Sequence, residues 1–128
     1  MTLKGHGAEV IGVKADVAKW TDVNQLADAA LDTYGEAHLL CNNAGFSILG
    51  STWEMSLDDW RWVYDVNLWG VVHGIKAFVP AMRRQGTPAH VLNTASMAAF
   101  GPIGTHTPYC STKAAVVSIG DCLCSELQ

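Results

Sequence analysis

The sequence predicts an α/β fold: a parallel sheet of three strands with helices running between them. Three observations predict it. Apolar runs of strand length occur at residues 9–13, 38–41 and 89–94. The stretches between them are longer, and their apolar residues recur at three- and four-residue steps, the period of a helix with one buried face. Strands joined through helices return in the same direction, so the sheet is parallel. With 128 residues the chain amounts to one domain at most.

Each element has a local reason. Residues 1–7 are short and glycine-rich, and read as a tail. The first strand run, Glu-Val-Ile-Gly-Val, leads to Lys14-Ala15-Asp16-Val17, so an acidic residue follows the strand. Thr21 is the expected N-cap of a helix in which Val23, Leu26, Ala27, Ala30, Leu31 and Tyr34 share a face, and Gly35 stops it. His38-Leu39-Leu40-Cys41 is short and apolar, as a buried parallel strand is, and runs into Asn42-Asn43-Ala44-Gly45. Small residues there let a ligand or another backbone come close, and two amides can tie down peptide groups; a plain turn has the same composition. Residues 56–85 read as helix, with Ser56, Asp58 and Asp59 at its positive end, Arg83 and Arg84 at its negative end, and Pro80 to bend it. Trp60, Trp62 and Trp69 read as packing. Asn67 is a lone amide in an apolar stretch, either a kink satisfied by water or a polar post for a site. The third strand leads to Ser96 and a loop over residues 97–108. Residues 109–127 then form a helix that is apolar almost all round and so covered on more than one side.

Composition excludes several function classes. Hydrophobic residues make up 49 % and charged residues 16 %, which suits a buried core and not disorder. A net charge of −4 and a pI near 5.6 offer nothing to attract nucleic acid or an anionic membrane. Cys41, Cys110, Cys122 and Cys124 lack zinc spacing and the density of a disulfide scaffold. They read as buried free thiols, which fits a reducing cytoplasm. The five histidines, His6, His38, His73, His90 and His106, form no paired-ligand pattern, so no metal site is expected. No leader pattern and no apolar run of spanning length is visible.

The chemistry gathers between residues 96 and 113. On a helix, Tyr109 and Lys113 sit one turn apart on one face. A free phenol titrates near pH ~10 and transfers protons poorly at neutral pH. An ammonium held close favours the phenolate and brings the tyrosine into range for acid–base work. Ser96, thirteen positions before Tyr109, follows a strand that delivers its hydroxyl to the mouth of that helix. A Tyr-x-x-x-Lys pair alone is a weak pattern. Asp16, residues 42–45 and Ser96 all follow strand ends, however, and ligands of parallel sheets bind beyond those ends.

With that shared placement, the chain resembles the short-chain dehydrogenase/reductase family over nearly every residue. The matching pieces are Asp16-Val17, Cys41-Asn42-Asn43-Ala44-Gly45, Asp65-Val66-Asn67-Leu68-Trp69-Gly70, Asn93-Thr94-Ala95-Ser96 and Tyr109-Cys110-Ser111-Thr112-Lys113. The resemblance implies a partial Rossmann-like, doubly wound sheet over residues 1–128. It implies hydride transfer between NAD or NADP and a small-molecule alcohol or carbonyl. Tyr109 would give or take the hydroxyl proton, and Ser96 would hold the substrate oxygen. Lys113 would lower the tyrosine pKa and bond the nicotinamide ribose, while Asn67 would hold a water linking Lys113 to solvent. Asp16 and Val17 would touch the adenine, and Asn42, Ala44 and Gly45 would border the adenosine ribose. Homo-oligomers through the long helices are implied as well. Phe46, Met97, Phe100 and His106 are expected in the substrate wall from loop position alone.

The chain also departs from the family. Gly5-His6-Gly7 precedes the first strand run, whereas the family's glycine-rich phosphate turn follows a strand. The later strands and the substrate-covering segment have no counterpart, so the chain reads as an internal fragment. In the strand order 3-2-1-4-5-6, the strands at Val10, Leu39 and Val91 are numbers three, four and five. The first of them is then an orphan, or pairs in a non-family way. Residues present fix neither the substrate nor the choice between NAD and NADP. The alternative reading is a catalytically silent fragment or scaffold that associates through its long helices. A third keeps the fold but changes the chemistry to that of an epimerase or dehydratase.

Overall fold

A computed structural model describes residues 7–128. The expected tail at residues 1–7, except Gly7, and His6 therefore lie outside the described residues. Helix α1 (Trp20–Tyr34) buries Val23 and Ala27, four apart, and ends where Gly35 adopts φ 79° and bonds back to the Leu31 carbonyl. It starts before Thr21 because a turn at Asp16 organises the approach. The Asp16 carbonyl accepts the Lys19 N–H at 2.9 Å, and its carboxylate accepts the Ala18 N–H at 3.1 Å. Lys19 thus takes the cap position.

Residues 57–85 are helical throughout but not uniform. Helix α2 (Leu57–Tyr64) is capped by Ser56, whose Oγ accepts the Asp59 N–H at 3.1 Å. A π-helical turn (Asp65–Trp69) follows, then helix α3 (Gly70–Gln85). Helix α4 (Thr107–Glu126) begins two residues earlier than expected, since Pro108 in its first turn forfeits no helical hydrogen bond.

The sheet pairs β1 (Leu39–Asn42) with β2 (His90–Asn93) in parallel, from Leu39 opposite His90 to Asn42 opposite Asn93. Leu40 and Val91 pack on Ala27, Phe78, Val79 and Met82. Gln85 ties the end of α3 to the start of β1, accepting from the Ala37 N–H at 3.1 Å and donating to its carbonyl at 3.0 Å. The parallel α/β arrangement is as expected. Among the described residues, however, the helices cover one face, and Leu39 and Leu92 on the other are 62 % and 55 % exposed.

Two expectations are corrected. Residues 9–13 form no strand, and the sheet has two strands among the described residues. In the order 3-2-1-4, two strand positions separate that segment from β1, so it has no backbone to pair with. A cleft lies beside β1 between α1 and α3, lined by Val17, Val23, Leu26, Leu40, Val71 and Phe78 among others. The cysteines are free, but only Cys110 is buried. Cys41 alternates onto the uncovered sheet face, and Cys122 and Cys124 ride the exposed last turns of α4.

Candidate active site

The π-helical turn sets the site's floor. Its wider winding carries Asn67, which is fully buried. Oδ1 accepts the Phe46 N–H at 3.0 Å, and Nδ2 donates to the Phe46 carbonyl at 2.9 Å and to Thr112 Oγ1 at 3.3 Å. The side chain thus pins the segment after Gly45 to α4. Its partners are the Phe46 backbone on one side and Thr112 on the other.

Tyr109 and Lys113 lie one turn apart on α4, with Nζ 5.7 Å from the centre of the phenol ring. Lys113 is only 5 % exposed, and its Nζ donates to the Thr94 carbonyl at 2.6 Å, just beyond the end of β2. A charge-assisted bond of that length fixes the ammonium in place. Gly45 lets it approach. A Cβ there would stand 3.3 Å from Asn67 Oδ1 and 3.4 Å from Lys113 Nζ. Ser96 caps a 3₁₀ turn (Met97–Ala99) that packs on α4, and its Oγ accepts the Ala98 N–H at 3.2 Å. Its own hydroxyl hydrogen is left to donate.

The other candidate residues lie at the ends of β1 and β2 and on the turn before α1. Asn42 Nδ2 donates to Asn93 Oδ1 at 2.9 Å, a ladder across the strand ends beneath Gly74. A Cβ on Gly74 would collide with Asn42 Oδ1, so glycine lets α3 cross this close to the strand end. Asn43 Oδ1 accepts from the Thr94 hydroxyl at 3.0 Å. Ala44 and Gly45 are exposed. Asp16 is half-exposed, with one oxygen on Ala18 and the other 3.4 Å from Lys19 Nζ. Val17 packs against Gly70 at the mouth of the cleft.

The four substrate-wall residues divide. The Phe46 ring packs at a tilt of 45° against Trp62 with centroids 4.4 Å apart, and His106 Nδ1 turns back to the Gly104 carbonyl at 3.0 Å. Met97 and Phe100 are 82 % and 72 % exposed. Sequence reasoning missed the Thr94 carbonyl and Thr112. A backbone acceptor leaves no mark on sequence, but Thr112, fully buried inside the Tyr-Cys-Ser-Thr-Lys stretch, is a polar residue on an apolar helix and was a usable signal. Among the described residues, no group of His, Cys, Asp and Glu stands ready to hold a metal ion, and no helix is long and apolar enough to cross a membrane.

Comparison with known proteins agrees with this geometry. The sequence profile of the short chain dehydrogenase family matches residues 1–128. A CLA biosynthesis dehydrogenase/reductase of Lactiplantibacillus plantarum is 36 % identical over 95 % of this chain and 43 % of that protein. A crystal structure of a short chain dehydrogenase/reductase from Burkholderia phymatum in complex with NAD superposes with a TM-score of 0.92. It is 47 % identical, covering 94 % of this chain and 43 % of that one. An alcohol dehydrogenase from the archaeon Thermococcus sibiricus, complexed with 5-hydroxy-NADP, gives 0.88 at 28 % identity, over 97 % and 52 %. The chain spans about half the length of the curated relatives it matches. Its fold and the match along its whole length agree: the chain belongs to the short chain dehydrogenase family.

Proposed function

We propose that this chain carries the proton-transfer centre of an oxidoreductase that uses NAD or NADP to interconvert an alcohol and a carbonyl compound. The observation that supports it most is the buried Lys113, anchored on the Thr94 carbonyl one turn from Tyr109 and facing Gly45. The residues fit the nicotinamide half of such a cofactor. Lys113 spends one N–H on Thr94 and keeps two for ribose hydroxyls, and Gly45 leaves room beside it. The bound nicotinamide would supply or accept the hydride. Ser96 would hold the substrate oxygen by donating its O–H, and Tyr109 would exchange a proton with that oxygen. Lys113 would place its positive charge beside the phenol ring, and Asn67 would hold the water that relays the proton to solvent. Asp16 and Val17 would meet the adenine, with Asn42, Ala44 and Gly45 along the adenosine ribose. Asn42 donates from its side chain to Asn93 and its carbonyl accepts the Thr94 N–H, so its part there would be to shape the strand end.

Residues 1–128 would be part of one cofactor-binding domain. Copies would associate through α3 and α4, between which Ile75, Ile119 and Leu123 line an apolar hollow. Four free thiols suit a reducing cytoplasm. The test is a spectrophotometric screen of secondary alcohols with NAD and NADP, run on the chain and its Tyr109→Phe variant. Turnover that Tyr109→Phe abolishes supports the proposal, and turnover that survives removes it. Absence of both turnover and dinucleotide binding would favour a silent scaffold.

A further inference from the structure

We propose that His73 is a positioning residue for the adenine end of the cofactor site, holding the Asp16-Val17 turn from α3; this rests on the function proposed above. Gly70 and His73 are three apart and share a face of the first turn of α3. Gly70 lets the turn come close, since a Cβ there would stand 3.0 Å from Val17 Cγ2. His73 then fastens it, with Nδ1 2.9 Å from the Val17 carbonyl oxygen. That oxygen can only accept, so Nδ1 carries the hydrogen.

The ring is set between two indoles, its centre 6.0 Å from that of Trp20 and 6.2 Å from that of Trp69. Lys76, a further three residues along α3, rests its Nζ 5.8 Å over the Trp20 ring. The turn is therefore tied to α3 at both ends, at Val17 and at Trp20. The groups between those ties are the ones read as adenine contacts. The Asp16 carboxylate is half-exposed, and the Val17 N–H finds no acceptor among the described residues. A packing residue between two tryptophans needs no N–H aimed at a carbonyl. Here the donor immobilises a residue whose own N–H has no acceptor among the described residues.

The experiment compares binding of two ligands, by calorimetry, to the protein as its gene encodes it. One is NADH or NADPH, whichever wild type prefers, and the other is reduced nicotinamide mononucleotide, which lacks the adenine half. His73→Phe keeps a ring between Trp20 and Trp69 but removes the donor. His73→Asn returns an N–H from the same branch point. The dinucleotide Kd is expected to rise about tenfold in His73→Phe and to recover to within about threefold in His73→Asn, with the mononucleotide Kd unchanged within about twofold. The kcat at saturating cofactor should stay unchanged. Equal weakening towards both ligands, or none towards the dinucleotide, overturns the inference. If His73→Phe does not fold, His73→Leu is read by the same criteria. A wild-type protein that binds no dinucleotide overturns the proposed function itself, a result distinct from any loss confined to the variants.

Discussion

Replacing Asn67 with leucine keeps the side-chain volume but removes three hydrogen bonds from a fully buried position. The Phe46 N–H and carbonyl lose their partners, and each costs about 1–3 kcal/mol when left unsatisfied. Thr112 loses less, because its hydroxyl still donates to the Tyr109 carbonyl at 2.8 Å. The added apolar burial offsets part of the loss, leaving about 2–4 kcal/mol of destabilisation. Asn67→Asp sharpens the test. One carboxylate oxygen can still accept from Phe46, but the other faces the Phe46 carbonyl, and burial further disfavours the charge. Lys113 Nζ, on the other side of Gly45, opposes these two effects without contacting the side chain, and the folded-state pKa of this aspartate is expected above its unfolded value of ~3.9. A raised carboxyl pKa means the protonated acid, able to donate to the Phe46 carbonyl, contributes its stability at low pH. That contribution fades as pH rises through the folded value. Urea unfolding followed by tryptophan fluorescence, at pH ~4 and ~7, measures both effects. The reasoning fails if Asn67→Leu costs less than about 1 kcal/mol, or if the gap between Asn67→Asp and wild type does not widen with pH.

Three other substitutions probe the packing around the site. Gly74→Ala forces a Cβ against Asn42 Oδ1 and should break the Asn42–Asn93 bond. Its cost of about 2–3 kcal/mol would appear as a lower thermal midpoint. Gly45→Ala meets Asn67 Oδ1 at 3.3 Å and Lys113 Nζ at 3.4 Å on an otherwise exposed residue. It should leave stability within about 1 kcal/mol while lowering kcat about tenfold, as the ammonium shifts. Ser56→Ala removes the cap bond to Asp59, costing about 1 kcal/mol in chemical unfolding with no effect on turnover.

Local features were the legible ones. Helices α1 and α4 follow from apolar spacing, and the same spacing brings Tyr109 and Lys113 onto one turn. Residues 9–13 carry every local mark of a strand, yet a strand exists only against a neighbour, and pairing is not encoded within the run itself. Cys41 misled for a related reason. A small apolar residue on a strand is buried only if its face of the sheet is covered, and that depends on residues far away. The π-helical turn at Asp65–Trp69 has no compositional signature, so Asn67 stood out as an oddity whose partners, Phe46 and Thr112, could not be named. Phe46 was placed in the substrate wall by loop position, which says nothing of the Trp62 ring 4.4 Å away.

In the proposed function one helical turn divides the labour: Tyr109 would move the proton, while Lys113 would both charge the site and hold the cofactor ribose. Dinucleotide Kd and turnover, measured side by side in Tyr109→Phe and Lys113→Met, test that division most directly. Tyr109→Phe should lose about 10²- to 10⁴-fold in turnover with cofactor affinity kept within about twofold. Lys113→Met should lose turnover and at least about tenfold in cofactor affinity together. Turnover retained in Tyr109→Phe, or undiminished cofactor affinity in Lys113→Met, would contradict the account.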